Sequence, residues 1–242
     1  LLRIPVDSDG MDIDHLEKLL RRKQIKAVYS IPHHHCPTTV TTSMKRRMQL
    51  LKLAKEYRFA IIEDDYDFDF HYDNKPYLPL ASIDHHQNVI YIGSVTKTFA
   101  PALRIGFMIG PPAFIDAAAS LRELIDKQGD TVLEEAFATL FDNGEMDRYV
   151  RKPLKIYKER RNLFCQILKS DFKAEINVTM PEGGLAVWTD FNKRIDLVKM
   201  SAAAAEMTLH IDDGAFYKNE SFSRNGMRMG FASLSESEIT EA

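Results

Sequence analysis

The sequence predicts an α/β protein with a smaller α+β portion towards its C-terminal end. Three observations carry this. Ala27–Ile31, Ala60–Glu63 and Val89–Gly93 are short apolar runs rich in β-branched residues, which read as buried strands. Longer segments around them repeat apolar residues at helical spacing. From Ala174 onward the composition shifts to short strands around a single helical stretch.

Composition bounds the class. The chain has 242 residues, 45% hydrophobic and 28% charged, enough for a sizeable core in one large domain or two small ones. A net charge of -3 argues against a dominant nucleic-acid surface. The two cysteines, Cys36 and Cys165, are far apart and point to a reducing compartment rather than a disulfide framework. There is no signal peptide and no apolar run long enough to span a bilayer, so cytoplasm is the expected location.

The first helix is expected over Asp12–Arg22, with Ile13, Leu16, Leu19 and Leu20 on its apolar side and Asp9, Asp12 and Asp14 near its N-terminus. After the strand Ala27–Ile31 comes Pro32-His33-His34-His35-Cys36-Pro37-Thr38-Thr39. Consecutive histidines in an extended segment alternate faces and do not easily share one metal ion. Met44–Arg58 reads as a helix with Met44, Met48, Leu51 and Ala54 as a core stripe. The strand Ala60–Glu63 runs into Asp64-Asp65-Tyr66-Asp67, then an irregular stretch through Tyr72, Pro76, Tyr77 and Pro79. Ile105–Ile109 is a strand stopped by Pro111-Pro112. Helices are expected over Ala113–Asp126, Asp130–Asn143 and Met146–Lys169, the last with a solvated, highly charged face. Leu185–Asp190, Leu209–Ile211 and Met227–Ala232 read as strands and Ile195–Met207 as a helix.

Two strand ends carry chemistry. After Val89–Ile92 the chain breaks at Gly93 into a turn with Ser94, Thr96 and Lys97, and Arg104 follows seven residues after the lysine. A phosphate-binding P-loop is disfavoured, because Thr96 stands where that motif needs a glycine before its lysine. A solvated surface lysine is the plainer alternative. The aspartate strand lies upstream, so two strands of one sheet deliver Asp64, Tyr66 and Lys97 to one edge, and open α/β sheets bind ligands at the carboxyl ends of their strands. Pyridoxal 5'-phosphate needs a lysine for its imine and an acid at its ring nitrogen.

Ile61-Ile62-Glu63-Asp64-Asp65-Tyr66-Asp67, Tyr91-Ile92-Gly93-Ser94-Val95-Thr96-Lys97-Thr98 and Pro101-Ala102-Leu103-Arg104 together resemble a fold-type I, class I/II pyridoxal-phosphate-dependent aminotransferase. More narrowly they resemble the aminotransferase-like domain of MocR-type regulators in the GntR superfamily, from Pro5 to the C-terminus. The resemblance implies a mostly parallel sheet flanked by helices, with residues 1–150 as a large cofactor-binding domain and 151–242 as a small α+β domain. It implies that Lys97 carries the imine, Asp64 pairs with the ring nitrogen and Tyr66 donates to the ring hydroxylate. Ser94, Thr96 and Arg104 hold the phosphate, His34 belongs to a loop beside the cofactor, and Arg228 grips the substrate carboxylate.

There are two departures. Cys36 stands where ordinary aminotransferases have an asparagine, and Thr39 where they have a glycine. The resemblance further implies a homodimer, and contact with DNA only through an N-terminal winged helix ahead of Leu1. A phosphate loop and a stacking aromatic ring are also expected before Leu1, and a cut final helix after Glu236, so slow or absent transamination is expected of residues 1–242 alone. The open functions are an aminotransferase acting on an amino acid or amine, and an effector sensor in a transcriptional regulator. A weaker third is a metal-dependent hydrolase using the histidines and Asp64 to Asp69.

Overall fold

The computed structural model describes residues 1–72, 77–217 and 224–241; Pro76, expected within the irregular stretch, lies outside the described residues. The chain opens with a two-stranded antiparallel ribbon, β1 (Val6–Asp7) and β2 (Gly10–Met11). Gly10 turns this ribbon at φ +100°, where an added Cβ would sit 2.4 Å from Thr42 Oγ1. Helix α1 (Ile13–Leu20) is capped by Asp12, whose Oδ1 accepts from the His15 amide at 2.9 Å.

Next come β3 (Ala27–Ser30), α2 (Met44–Tyr57), β4 (Ala60–Asp65), the one-turn α3 (Leu80–Ile83), β5 (Val89–Ser94) and β6 (Gly106–Ile109). The four strands form one sheet in the order β3-β4-β5-β6. The first three run parallel and β6 returns antiparallel to β5. One face packs on α1 and α2 through Val28, Ile61, Val89, Leu16, Leu50 and Phe59. Fully burying one such side chain stabilises by about 1.5–3 kcal/mol. The register sets Tyr29 opposite Ile62 and Asp64 opposite Ile92, so Tyr29, Asp64 and Ser94 share the other face.

Helices α4 (Pro112–Asp126), α5 (Thr131–Asp142) and α6 (Glu145–Asp171) follow. The last runs continuously past residue 150 into a second, antiparallel sheet of β7 (Ile176–Val178), β8 (Ala186–Phe191) and β9 (Gly226–Gly230). Helix α7 (Leu197–Glu206) lies between β8 and β9 in sequence, and α8 (Glu236–Glu241) closes the described chain. The segment after β4 joins the two sheets. Phe70 and Tyr72 are core residues with Cys165, Val187 and Phe231, and the Gly184 amide donates to the Phe70 carbonyl at 2.7 Å.

Two expectations are corrected. On α2 the buried residues are Arg47, Leu50, Leu51, Leu53 and Ala54, whereas Met44 is 36% and Met48 51% exposed. The helix is turned because Arg47 has polar work inside: its Nε donates to the Thr42 carbonyl at 2.9 Å, and its two Nη atoms to Pro32 at 2.8 Å and Leu78 at 3.2 Å. Unpaired buried carbonyls would cost about 1–3 kcal/mol each. Leu209–Ile211 is irregular rather than a strand; among the described residues its short apolar run has no partner strand.

Candidate cofactor site

The lysine turn is built by local hydrogen bonds. The Val95 amide donates to the Ile105 carbonyl at 3.2 Å, the Thr96 amide to Ser94 Oγ at 3.2 Å, and the Phe99 amide to the Val95 carbonyl at 2.9 Å. Thr98 Oγ1 donates to Asp69 Oδ2 at 2.7 Å, tying the turn to the segment beyond β4. The strand must thin at Gly93, where an added Cβ would meet the Phe107 ring at 2.3 Å. Lys97 is exposed, and its Nζ lies 5.9 Å from the centre of the Tyr66 ring.

Arg104 follows a 3₁₀ turn, Pro101–Leu103, in a left-handed conformation with φ +52° and ψ +40°. The register opposes Ser94 to Gly106, two residues beyond Arg104, so Ser94 and Arg104 belong to the same end of the sheet.

Asp64, near the carboxyl end of β4, accepts a hydrogen bond from the Tyr29 hydroxyl on β3. Tyr66 donates its phenol proton to the His34 carbonyl at 3.0 Å. Burial, helped by the charge of Asp67, holds that phenol above its ordinary range; Arg228 pulls the other way. Tyr66 therefore keeps its proton and acts as a donor.

Arg228 reaches this group from the second sheet. It faces Trp188 across the β8–β9 pair and stands beside Tyr66 and Tyr217. Its Nε is buried without a hydrogen-bond partner.

His34 sits differently from the other expected residues. Its carbonyl serves Tyr66, but its ring points into the protein, with Nδ1 2.8 Å from Asp67 Oδ1 and the face stacked on His71. Gly183 packs so closely here that an added Cβ would lie 2.2 Å from His34 Nε2. His33 is turned to Asp65, with Nδ1 to Oδ2 at 2.9 Å, and His35 to Thr38 Oγ1 at 2.7 Å. Each imidazole thus has its own partner.

Cys36 is exposed and neighbours Tyr29, Tyr66 and Tyr217. Thr39 adopts φ +57°, the left-handed conformation a glycine would take most easily, with its amide donating to the His35 carbonyl at 2.6 Å. Both ends of this loop are tied by Arg47 through Pro32 and Thr42.

The donor set fits pyridoxal phosphate. It offers an amine, a carboxylate held on one oxygen by a phenol, a protonated tyrosine, two hydroxyl residues and an arginine at one end of the sheet, and a second guanidinium with an orphaned buried nitrogen. Tyr29 and Arg47 carried no functional signal in the sequence. An alternating strand residue and a helix residue look structural until their partners are known.

Comparison with known proteins agrees with this geometry. The chain matches the family model for aminotransferase class I and II over residues 3–242, and it belongs to that family. It is 31% identical to aromatic-amino-acid aminotransferase 1 of Thermococcus litoralis, over 99% of this chain and 59% of that protein. It is 29% identical to the uncharacterized HTH-type transcriptional regulator YdfD of Bacillus subtilis, over 98% of this chain and 49% of that one. The crystal structure of Pyrococcus horikoshii kynurenine aminotransferase in complex with PMP superposes with a TM-score of 0.92 at 30% identity, covering 99% of this chain and 61% of that chain. The fold is therefore the fold-type I architecture of these aminotransferases. The chain spans 49% to 59% of these two curated relatives. Among the described residues no helix is long and apolar enough to cross a membrane.

Proposed function

We propose that this chain is the pyridoxal-phosphate-binding part of an aminotransferase acting on an amino acid or amine. Lys97 beside the Tyr66 ring, with Arg228 on the same tyrosine, is the observation that carries the reading. When bound, the cofactor supplies an aldehyde that an amine can attack and a ring that accepts electrons. Lys97 Nζ would be the amine that holds the cofactor, and the same nitrogen would take the proton from the substrate's α-carbon. Asp64 keeps the ring nitrogen charged. Tyr66, whose phenol donates to the His34 carbonyl, would donate to the ring oxygen instead. Ser94, Thr96 and Arg104 hold the phosphate, the planar guanidinium giving paired hydrogen bonds. Arg228 receives the substrate carboxylate in the same way. In this reading residues 1–150 form the cofactor-binding unit and 151–242 the smaller unit that brings Arg228.

The test is borohydride reduction of cofactor-loaded protein followed by peptide mass mapping. The tag is expected on Lys97; a tag on Lys127, or on Lys75, which lies outside the described residues, overturns the assignment.

A second reading is favoured by one feature. Cys36 lies among Tyr29, Tyr66 and Tyr217 in place of the asparagine of ordinary aminotransferases. Under it the same site senses an amine for a MocR-type regulator, whose DNA contact belongs to a winged helix outside this chain. A DNA-binding assay on the protein with its upstream sequence, with and without amines, separates the two. The active unit in either case is proposed to be a cytoplasmic homodimer.

A further inference from the structure

We infer that Tyr29 is a positioning residue for Asp64, fixing which carboxylate oxygen is free to meet the cofactor ring. This rests on the site assignment above. Tyr29 and Asp64 come from neighbouring parallel strands, with Tyr29 registered opposite Ile62, one same-face step before Asp64. The phenol reaches along that face and donates to Asp64 Oδ2. The residue is 56% exposed, so packing alone does not account for its orientation; the hydroxyl has a specific partner. Partial burial and the hydrogen bond to Asp64 push the Tyr29 phenol above its ordinary range, so it stays protonated and donates.

The other aspartates of this stretch are each matched by a side chain from elsewhere: Asp65 by His33 and Tyr91, Asp67 by His34, and Asp69 by Thr98. Of the four, Asp64 alone shares the half-exposed sheet face with Ser94. A single donor on Oδ2 leaves Oδ1 to accept from a protonated ring nitrogen, and holds the carboxylate plane while it does so. A phenylalanine in place of Tyr29 would keep the ring and lose only this bond.

A double-mutant cycle read by cofactor binding tests the inference. Pyridoxal phosphate is titrated at equilibrium, by visible absorbance, into the protein with its upstream sequence in wild-type, Tyr29→Phe, Asp64→Asn and doubly substituted form. Tyr29→Phe is expected to weaken binding about fivefold in the wild-type background, because a carboxylate no longer held must be ordered when the ring nitrogen pairs with it. In the Asp64→Asn background the same change is expected to alter affinity by less than about twofold, because the residue it acts through is already gone. Equal losses in both backgrounds would mean that Tyr29 only supports packing, and would overturn the inference. An unchanged affinity for Tyr29→Phe in wild-type background overturns the inference alone. Wild-type protein that binds no cofactor overturns the site assignment and this inference with it.

Discussion

The phenol of Tyr66 donates to the main-chain carbonyl of His34 at 3.0 Å, while the His34 ring turns away to Asp67 at 2.8 Å. One residue thus serves the site through its backbone and the interior through its side chain. The buried imidazole holds the loop, and the carbonyl accepts the hydrogen bond that the proposed role of Tyr66 would redirect to the cofactor.

Asp64→Asn keeps the hydrogen-bonding shape but not the charge. The fold is expected to survive, since Asp64 is only partly buried on its strand. The half-reaction with an amino acid, followed by stopped-flow absorbance in the protein with its upstream sequence, is expected to slow by about a hundredfold or more. An unchanged rate rejects the role.

Association is the next expectation. Exposed apolar residues on β6 and α4, Phe107, Met108, Ile109, Leu121, Leu124 and Ile125, are more than a stable isolated surface ordinarily shows. Light scattering on the protein with its upstream sequence is expected to give the mass of a homodimer. A cofactor-saturated, active monomer contradicts this.

Thr39 offers a test of backbone conformation. At φ +57° a Cβ is disfavoured by about 1–2 kcal/mol, whatever the side chain beyond it. Thr39→Ala and Thr39→Gly lose the same hydroxyl and methyl contacts and differ only in that Cβ. The glycine variant is expected to be the more stable, by about 1 kcal/mol in urea titrations. This reverses the usual order, in which glycine costs more chain entropy. Equal stabilities would show that the loop does not hold this conformation.

His35 should make stability depend on pH. Burial lowers its pKa from 6.5 to about 4. Between these values the unfolded chain binds a proton that the folded protein does not, so stability falls as pH drops from about 7 towards 4 and levels off below that. The loss is at most about 3 kcal/mol, at 1.36 kcal/mol per unit. Denaturant midpoints for wild type and His35→Gln are expected to converge as pH falls. Parallel curves would mean that the ring is not kept neutral.

Much of the architecture could be read without coordinates, because its causes are local. The strand cores Ala27–Ser30, Ala60–Asp65 and Val89–Ser94 are short β-branched runs, and helices α1, α2, α4, α5 and α6 begin and end within a few residues of where periodicity and prolines put them. Lys97 and Asp64 were visible for the same reason: each stands at or just beyond the end of a strand whose apolar run stops in polar residues. On α2 Leu51 and Ala54 are buried as expected and Met44 and Met48 are not: methionines fit a core by composition, while Arg47 is drawn in by the carbonyls of Pro32, Thr42 and Leu78.

What tertiary structure alone decided is which distant groups meet. The sequence determined that a carboxylate, a lysine and two arginines exist at strand ends and in strands. It did not determine that Tyr29 would bind Asp64, that the His34 ring would prefer Asp67, or that Arg228 on β9 would stand beside Tyr66, just beyond β4. Those pairings depend on strand register and on how two sheets meet through Phe70, Tyr72 and Gly184, and long-range register leaves no periodicity in the chain to be read.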